Sequence, residues 1–120
     1  MTVKKNLKNI YKKEIIDLLY KAYKEKKKEV YKRTAEILDT AKRREVSVNL
    51  SKLDSLKNIN DGSIVIVAGK VLGVGFTNKK IVVYAYSFSK TAKEKLKSNA
   101  KSLIDLTKDN IDVKKTVIVK

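Results

Sequence analysis

Histidine, cysteine, proline and tryptophan are all missing from this 120-residue chain. Without histidine or cysteine, neither a Ser-His-Asp nor a Cys-His arrangement can be assembled. Zinc sites draw on those two residues almost without exception, so they are excluded with them, as are disulfides. The few carboxylates sit mostly within lysine-rich helical stretches as i,i+4 partners, a poor setting for paired-carboxylate catalysis. No catalytic residue, metal site, cofactor or small-molecule substrate is expected. Long apolar runs are missing too: none approaches the roughly 20 residues of a bilayer span. The opening MTVKKNLKNIYKKE has a positive start but no uninterrupted apolar segment behind it, so it does not read as a secretory signal. The chain is expected to be cytoplasmic, with no membrane partner.

Negative charge is scarce. Twenty-nine basic residues face 13 acidic ones, for a formal net charge of +16, and only three of the 29 are arginine. Residues 1–60 carry +9 and residues 61–120 carry +7, so the excess is spread along the chain rather than hung on it as a tail. Self-repulsion of this size costs stability, and it points to a polyanionic partner.

Glycine is confined. All four glycines fall between Gly62 and Gly75, inside DGSIVIVAGKVLGVGFTNKKIVVYAYSFS (residues 61–89). Gly69 and Gly73 bracket Lys70, Gly75 follows, and Lys79 and Lys80 sit on the next turn. Two nucleotide motifs fail on spacing. A P-loop needs a glycine where Ile64 stands and Ser/Thr where Val71 stands, while Gly73-Val74-Gly75 is followed by Asn78 where a dinucleotide fingerprint needs its third glycine. Two readings remain. Backbone amides and lysines can grip phosphates that bulkier side chains would hold away, or the glycines accommodate a bulge in a hairpin.

Hydrophobic periodicity predicts an amphipathic helix over roughly 5–24, with Leu7, Tyr11, Ile15, Leu18 and Ala22 on one face. The KEKKK run at 24–28 interrupts the stripe. A second helix follows over 29–41, with Val30, Thr34, Ile37, Leu38 and Ala41 inward. Lys42-Arg43-Arg44 reads as a basic hinge and Val46-Ser47-Val48 as a short strand. Ser51-x-x-Asp54 has the spacing of a capping box opening a short helix through Leu56, and Asn60-Asp61-Gly62 is a turn. Ile64–Val67, a continuous β-branched run, reads as a buried strand, with Val71-Leu72 beginning its return partner. A second strand spans Ile81–Tyr86. Ser89 or Thr91 caps the next helix, Thr91-x-x-Glu94 has box spacing, and Ala92, Leu96 and Ala100 face inward. Val117–Val119 is a final strand. The expectation is a single mixed α/β domain over 1–120, with a helical basic arm at 1–45 and an α/β core at 46–120.

The ordered set Val48-Asn49-Leu50-Ser51-Lys52-Leu53, then Gly69-Lys70-Val71-Leu72-Gly73, then Ala85-Tyr86-Ser87-Phe88-Ser89 resembles the large-subunit ribosomal protein "L eighteen-e" family of archaea and eukaryotes. With Ala92, Leu96 and Leu103-Ile104-Asp105-Leu106 the resemblance covers roughly residues 30–110. The chain departs from the family at Ala68, where proline is usual, at Asn99-Ala100, where glycines are usual, and in the tail after Asn110. The resemblance implies a compact α/β fold of short strand pairs and helices in irregular winding. It also implies a structural role in the large subunit, with ribosomal RNA and neighbouring ribosomal proteins as partners.

Charge, the glycine loop and the resemblance together give a candidate RNA-contact set: Arg33, Arg43, Arg44, Asn49, Lys52, Gly69, Lys70, Gly73, Gly75, Lys79, Lys80 and Lys90. The three arginines enter because a planar fork suits phosphates. Tyr20, Tyr23 and Tyr31 can stack on bases, whereas Tyr11 lies on the apolar stripe. Two other functions compete: a free-standing nucleic-acid-binding regulator, and a peripheral membrane protein using its first helix. The first would need base-reading residues on a recognition helix, and the second an apolar face richer in Trp and Phe.

Overall fold

Among the described residues every strand pairing is parallel. The computed structural model describes residues 3–40, 46–109 and 111–119, with side chains from residue 12 onward except at Thr40. Helices α1 (Val3–Lys26) and α2 (Glu29–Thr40) lead into β1 (Val46–Asn49) and the short α3 (Leu50–Ser55). Then come β2 (Ile64–Leu72), β3 (Val82–Phe88), α4 (Lys90–Leu96), β4 (Ala100–Ser102), α5 (Leu103–Lys108) and β5 (Thr116–Val119). The sheet runs β1-β2-β3-β4, with β5 also paired to β2. β5 runs beside residues 64–67 of β2 and β1 beside residues 69–72, so the two share one edge of the central strand.

A parallel sheet is covered on both faces, so its central strand must be apolar on both sides. That is why Ile64–Val67 carries no polar residue. Ile66, Ala68 and Tyr84 pack beneath α1, α2 and α5, together with Ile15, Leu19, Tyr31, Leu38, Leu103 and Leu106. Val65, Val67, Val71, Val83 and Ala85 face the other way, onto Leu50, Leu53, Ala92 and Leu96. Thr34, a polar residue with no exposed surface, is satisfied by donating to the Val30 carbonyl at 2.7 Å.

Several expectations change. Ile15 and Ala22 are buried on α1 as expected, but the residue between them on the buried stripe is Leu19, and Leu18 is 37% exposed. Tyr31 has no exposed surface, so it cannot stack on anything outside the protein. Tyr20 and Tyr23 are half-buried against the same core cluster. Val71-Leu72 does not turn back. It continues β2, because the neighbour of β2 is a parallel strand that needs a connection rather than a hairpin. Ser51 lies inside α3, where Asn49 is the capping position and makes no side-chain cap bond. Asp54 is used elsewhere, accepting from Thr77 Oγ1 at 3.1 Å and the Asn78 amide at 3.2 Å. Of the two candidates for α4, Ser89 is the cap, accepting from the Ala92 amide. A capping box does form at α5, where Ser102 and Asp105 satisfy each other's backbone amides. Ala100 sits in β4 and is half-buried.

The 24–28 run is more than a solvated break. Lys27 takes a left-handed φ of 55° and its amide returns to the Tyr23 carbonyl at 2.7 Å, which ends α1. Lys26 donates to the carbonyls of Thr107 and Asp109 at 2.8 and 3.0 Å, and Lys28 to that of Ile111 at 2.9 Å. Cations at the end of α5 thus satisfy acceptors the helix cannot.

Candidate nucleic-acid interface

In a parallel sheet all strands end at the same side. Here that side collects Asn49, Leu72, Phe88 and Ser102 with the segments that follow them. The connection after β2 is the glycine-bearing one. Asn49 is the last residue of β1 and pairs in register with Leu72. Lys52 is exposed on α3, Lys90 is exposed as the first residue of α4, and Gly73 and Gly75 lie in the loop between. Lys70, half-buried in β2, pairs with Ser47 on one side and Ser87 on the other. Nearby, Tyr86, Ser87, Phe88, Lys93, Lys101 and Ser102 line a cleft of about 370 Å³.

The glycines make close approaches to the protein itself. A β-carbon on Gly69 would collide with the Val46 carbonyl oxygen, and one on Gly73 would lie 2.6 Å from Thr91 Cβ and 2.7 Å from the Ala92 amide nitrogen. At Gly75 the φ of 82° is left-handed and Ser51 Cβ stands 2.6 Å from the β-carbon position. A bulge is present, since the register against β3 shifts between Val67 and Lys70, but it lies inside a parallel sheet and not in a hairpin.

The loop itself is braced. Lys95, from α4, donates to the carbonyls of Gly73 and Gly75 at 2.7 and 2.9 Å. The Ser51 amide donates to the Val74 carbonyl at 3.1 Å, and the Gly73 amide to Ser89 Oγ at 3.1 Å. The loop holds two apolar side chains outward: Val74 is 60% and Phe76 is 74% exposed. Lys95 Nζ lies 4.2 Å from the centre of the Phe76 ring. Sequence reading missed Phe76 and Lys95. The available signal was an aromatic residue stranded between Gly75 and Thr77-Asn78, outside any apolar period.

The remaining candidates are elsewhere. The Lys80 amide donates to Asp61 Oδ1 and its carbonyl accepts from Gly62, just ahead of β2, so it belongs to the opposite end of the sheet. Lys79 Nζ is spent on the Leu56 carbonyl at 2.8 Å. Arg33 is exposed on α2, over a groove of about 570 Å³ between that helix and Val113, Thr116 and Ile118. Arg43 and Arg44 lie outside the described residues.

Lys101, which lines the strand-end cleft, also forms a polar cluster with Tyr84 and Asp109. The Tyr84 hydroxyl donates to Asp109 Oδ2 at 2.7 Å and Lys101 Nζ lies 3.3 Å from the same oxygen. Burial first, then the hydrogen bond and charge of Asp109, hold the Tyr84 phenol well above its ordinary range. The Tyr84 bond, then Lys101, hold the Asp109 carboxyl below its ordinary value despite an opposing pull from burial. Among the described residues no cluster of acidic side chains could hold a metal ion, and no helix is long and apolar enough to cross a membrane.

Comparison with known proteins brings one family forward. The family described as ribosomal proteins 50S-L15, 50S-L18e and 60S-L27a matches residues 16–100. The large ribosomal subunit protein eL18 of Thermoplasma acidophilum is 42% identical over 98 residues, covering 79% of this chain and 80% of that one. The protein of the same name from Sulfurisphaera tokodaii is 40% identical over 106 residues, 88% and 85% of the two chains. That of Nanoarchaeum equitans is 49% identical over 76 residues, 62% and 63%.

Proposed function

The chain belongs to this family of ribosomal proteins, and from that premise we propose that it binds large-subunit ribosomal RNA through phosphates and shape. Its role is structural rather than catalytic. One observation carries the RNA reading: on a chain of net charge +16, no lysine or arginine is buried among the described residues. Lys13, Lys21, Lys24, Lys52, Lys90 and Lys93 are all exposed, on both helical and strand-end surfaces. Lysines so placed displace condensed counterions when they meet a phosphate backbone, and that release drives association without reading sequence. Double-stranded RNA offers little to base-reading side chains in its deep groove, so shape and phosphate contacts dominate. The strand-end surface with Asn49, Lys52, Lys70 and Lys90 is the main contact in this reading, and Gly73 and Gly75 give its loop the close packing that shapes it. Arg33, on α2, with Arg43 and Arg44, supplies further phosphate contacts away from that surface, and Gly69 holds the strand that positions it. Neighbouring large-subunit proteins complete the surroundings, and the site of action is the cytoplasmic ribosome.

Titrating the full chain onto protein-free large-subunit ribosomal RNA at several salt concentrations tests this. Affinity should fall linearly on a log–log plot, with a slope that counts the phosphates engaged. An affinity indifferent to salt would overturn the reading.

A further inference from the structure

We propose that Phe76 is a stacking platform for an unpaired base of ribosomal RNA, an inference that rests on the RNA-binding reading and gives it a specific contact. Isolated apolar side chains on a surface are ordinary. What sets Phe76 apart is that the protein fixes it there. The ring is 74% exposed, yet the loop beneath it is held from three directions. Lys95 holds the carbonyls on either side of Val74. The Ser51 amide holds the Val74 carbonyl itself. Asp54 holds Thr77 and Asn78, immediately after the ring. Gly75, at φ 82° and packed against Ser51, sets the direction in which the chain leaves. The ring's position is therefore largely decided before any partner arrives, which lowers the entropy that binding must overcome.

The chemistry around the ring selects the occupant. Lys95 Nζ stands 4.2 Å from the ring centre, held there by its two carbonyl bonds, so a fixed cation lies against the π-system. A base stacks on an aromatic face whatever its identity, and the phosphates flanking it find cations in the exposed Lys52 and Lys90 of the same strand-end surface. An apolar patch on another protein would want apolar neighbours. Val74 and Phe76 instead have Gly73, Gly75, Thr77 and Asn78 beside them in the chain.

The absence of tryptophan makes the test direct, because Phe76→Trp introduces the sole indole of the full chain. On protein-free large-subunit ribosomal RNA its emission should be quenched by stacking. Phe76→Ala should bind the same RNA roughly ten-fold more weakly at fixed salt, with an unchanged salt slope because no phosphate contact is lost. Phe76→Tyr should bind like the parent. The ring is exposed, so these variants should melt with the parent, and circular dichroism confirms that each is folded. Parent-like affinity of Phe76→Ala together with an unquenched indole would overturn the proposal while leaving the RNA reading intact. An indole unquenched on RNA but blue-shifted in assembled large subunits would overturn it in favour of a protein neighbour. Failure of the parent itself to bind the RNA would bring down the broader reading, and the stacking proposal with it.

Discussion

Gly69 and Val46 lie backbone against backbone, with no room for a β-carbon between them. The contact occurs where the edge of β2 passes from β5 to β1: β5 ends its pairing opposite Val67, and β1 begins opposite Gly69. Two strands can share one edge only if the second starts close in, and the register shift against β3 falls at the same place. Gly69 is thus a hinge of the sheet. Its effect on any partner of the strand-end surface is indirect, through the position of β1 and the α3 that follows it.

Gly69→Ala should therefore act on folding. Forcing a methyl into a closed contact typically costs about 1–3 kcal/mol, and here the obstructing atoms are backbone, which sets the expectation at the upper end. Chemical denaturation should show a lowered midpoint with an unchanged m-value. Gly73→Val should also destabilise, since its added atoms meet the first turn of α4. If both variants kept parental stability and lost RNA binding, the glycines would instead be surfaces for RNA.

Lys97 holds a φ of 55° with ψ −126°, a conformation that glycine adopts freely and an L side chain does not. Lys97→Gly should raise stability by about 1 kcal/mol, visible as a higher Tm. The strain sits at the end of α4, two residues before Asn99. A lower Tm for Lys97→Gly would mean that the lysine side chain contributes more than its backbone costs.

How much of this was legible follows from what each element depends on. Ile64–Val67 and Val117–Val119 announce themselves because strands with side chains against both core clusters need an unbroken apolar run. The parallel topology does not: a parallel partner is remote in sequence, and nothing in Val71-Leu72 distinguishes the end of one strand from the start of a return. β4 and α5 span three and six residues, too short for a period to register. In the candidate interface, lysine identity was visible but not what each head already holds, so Lys79 and Lys90 looked alike and Lys26 looked solvated. Phe76 escaped because exposure of an apolar residue is a property of the folded loop.

Asp109 gives stability a pH dependence with a defined sign. Its carboxyl is held below its ordinary value, first by the Tyr84 hydroxyl and then by Lys101. The unfolded chain takes up a proton near the ordinary carboxylate value of about 4, so the folded state binds fewer protons in that region. The contribution is present above about pH 4 and is lost as pH falls through the folded value. Asp109→Asn should melt below the parent near neutral pH, and the two Tm values should converge under acid. A gap that stays constant into acid would show that the charge of Asp109 plays no part.

Lys79 and Lys90 carry the same charge and should behave oppositely. The Lys79 ammonium already donates to the Leu56 carbonyl in a partly buried bond, tying the loop before β3 to the end of α3. Removing it as Lys79→Ala leaves that acceptor without its partner, for an expected loss of about 1 kcal/mol. The RNA salt slope should hardly change, because a head held by protein releases few counterions. Lys90 is exposed at the start of α4, where a cation faces the positive end of a helix, so its removal costs the fold nothing. Lys90→Ala should keep or slightly raise Tm and lower the salt slope by about one unit. Thermal melts and salt titrations on large-subunit ribosomal RNA, run on both variants, separate the roles. A lowered slope for Lys79→Ala with unchanged melting would reverse the assignment and move the RNA surface to the other end of the sheet, beside Lys80 and Asp61.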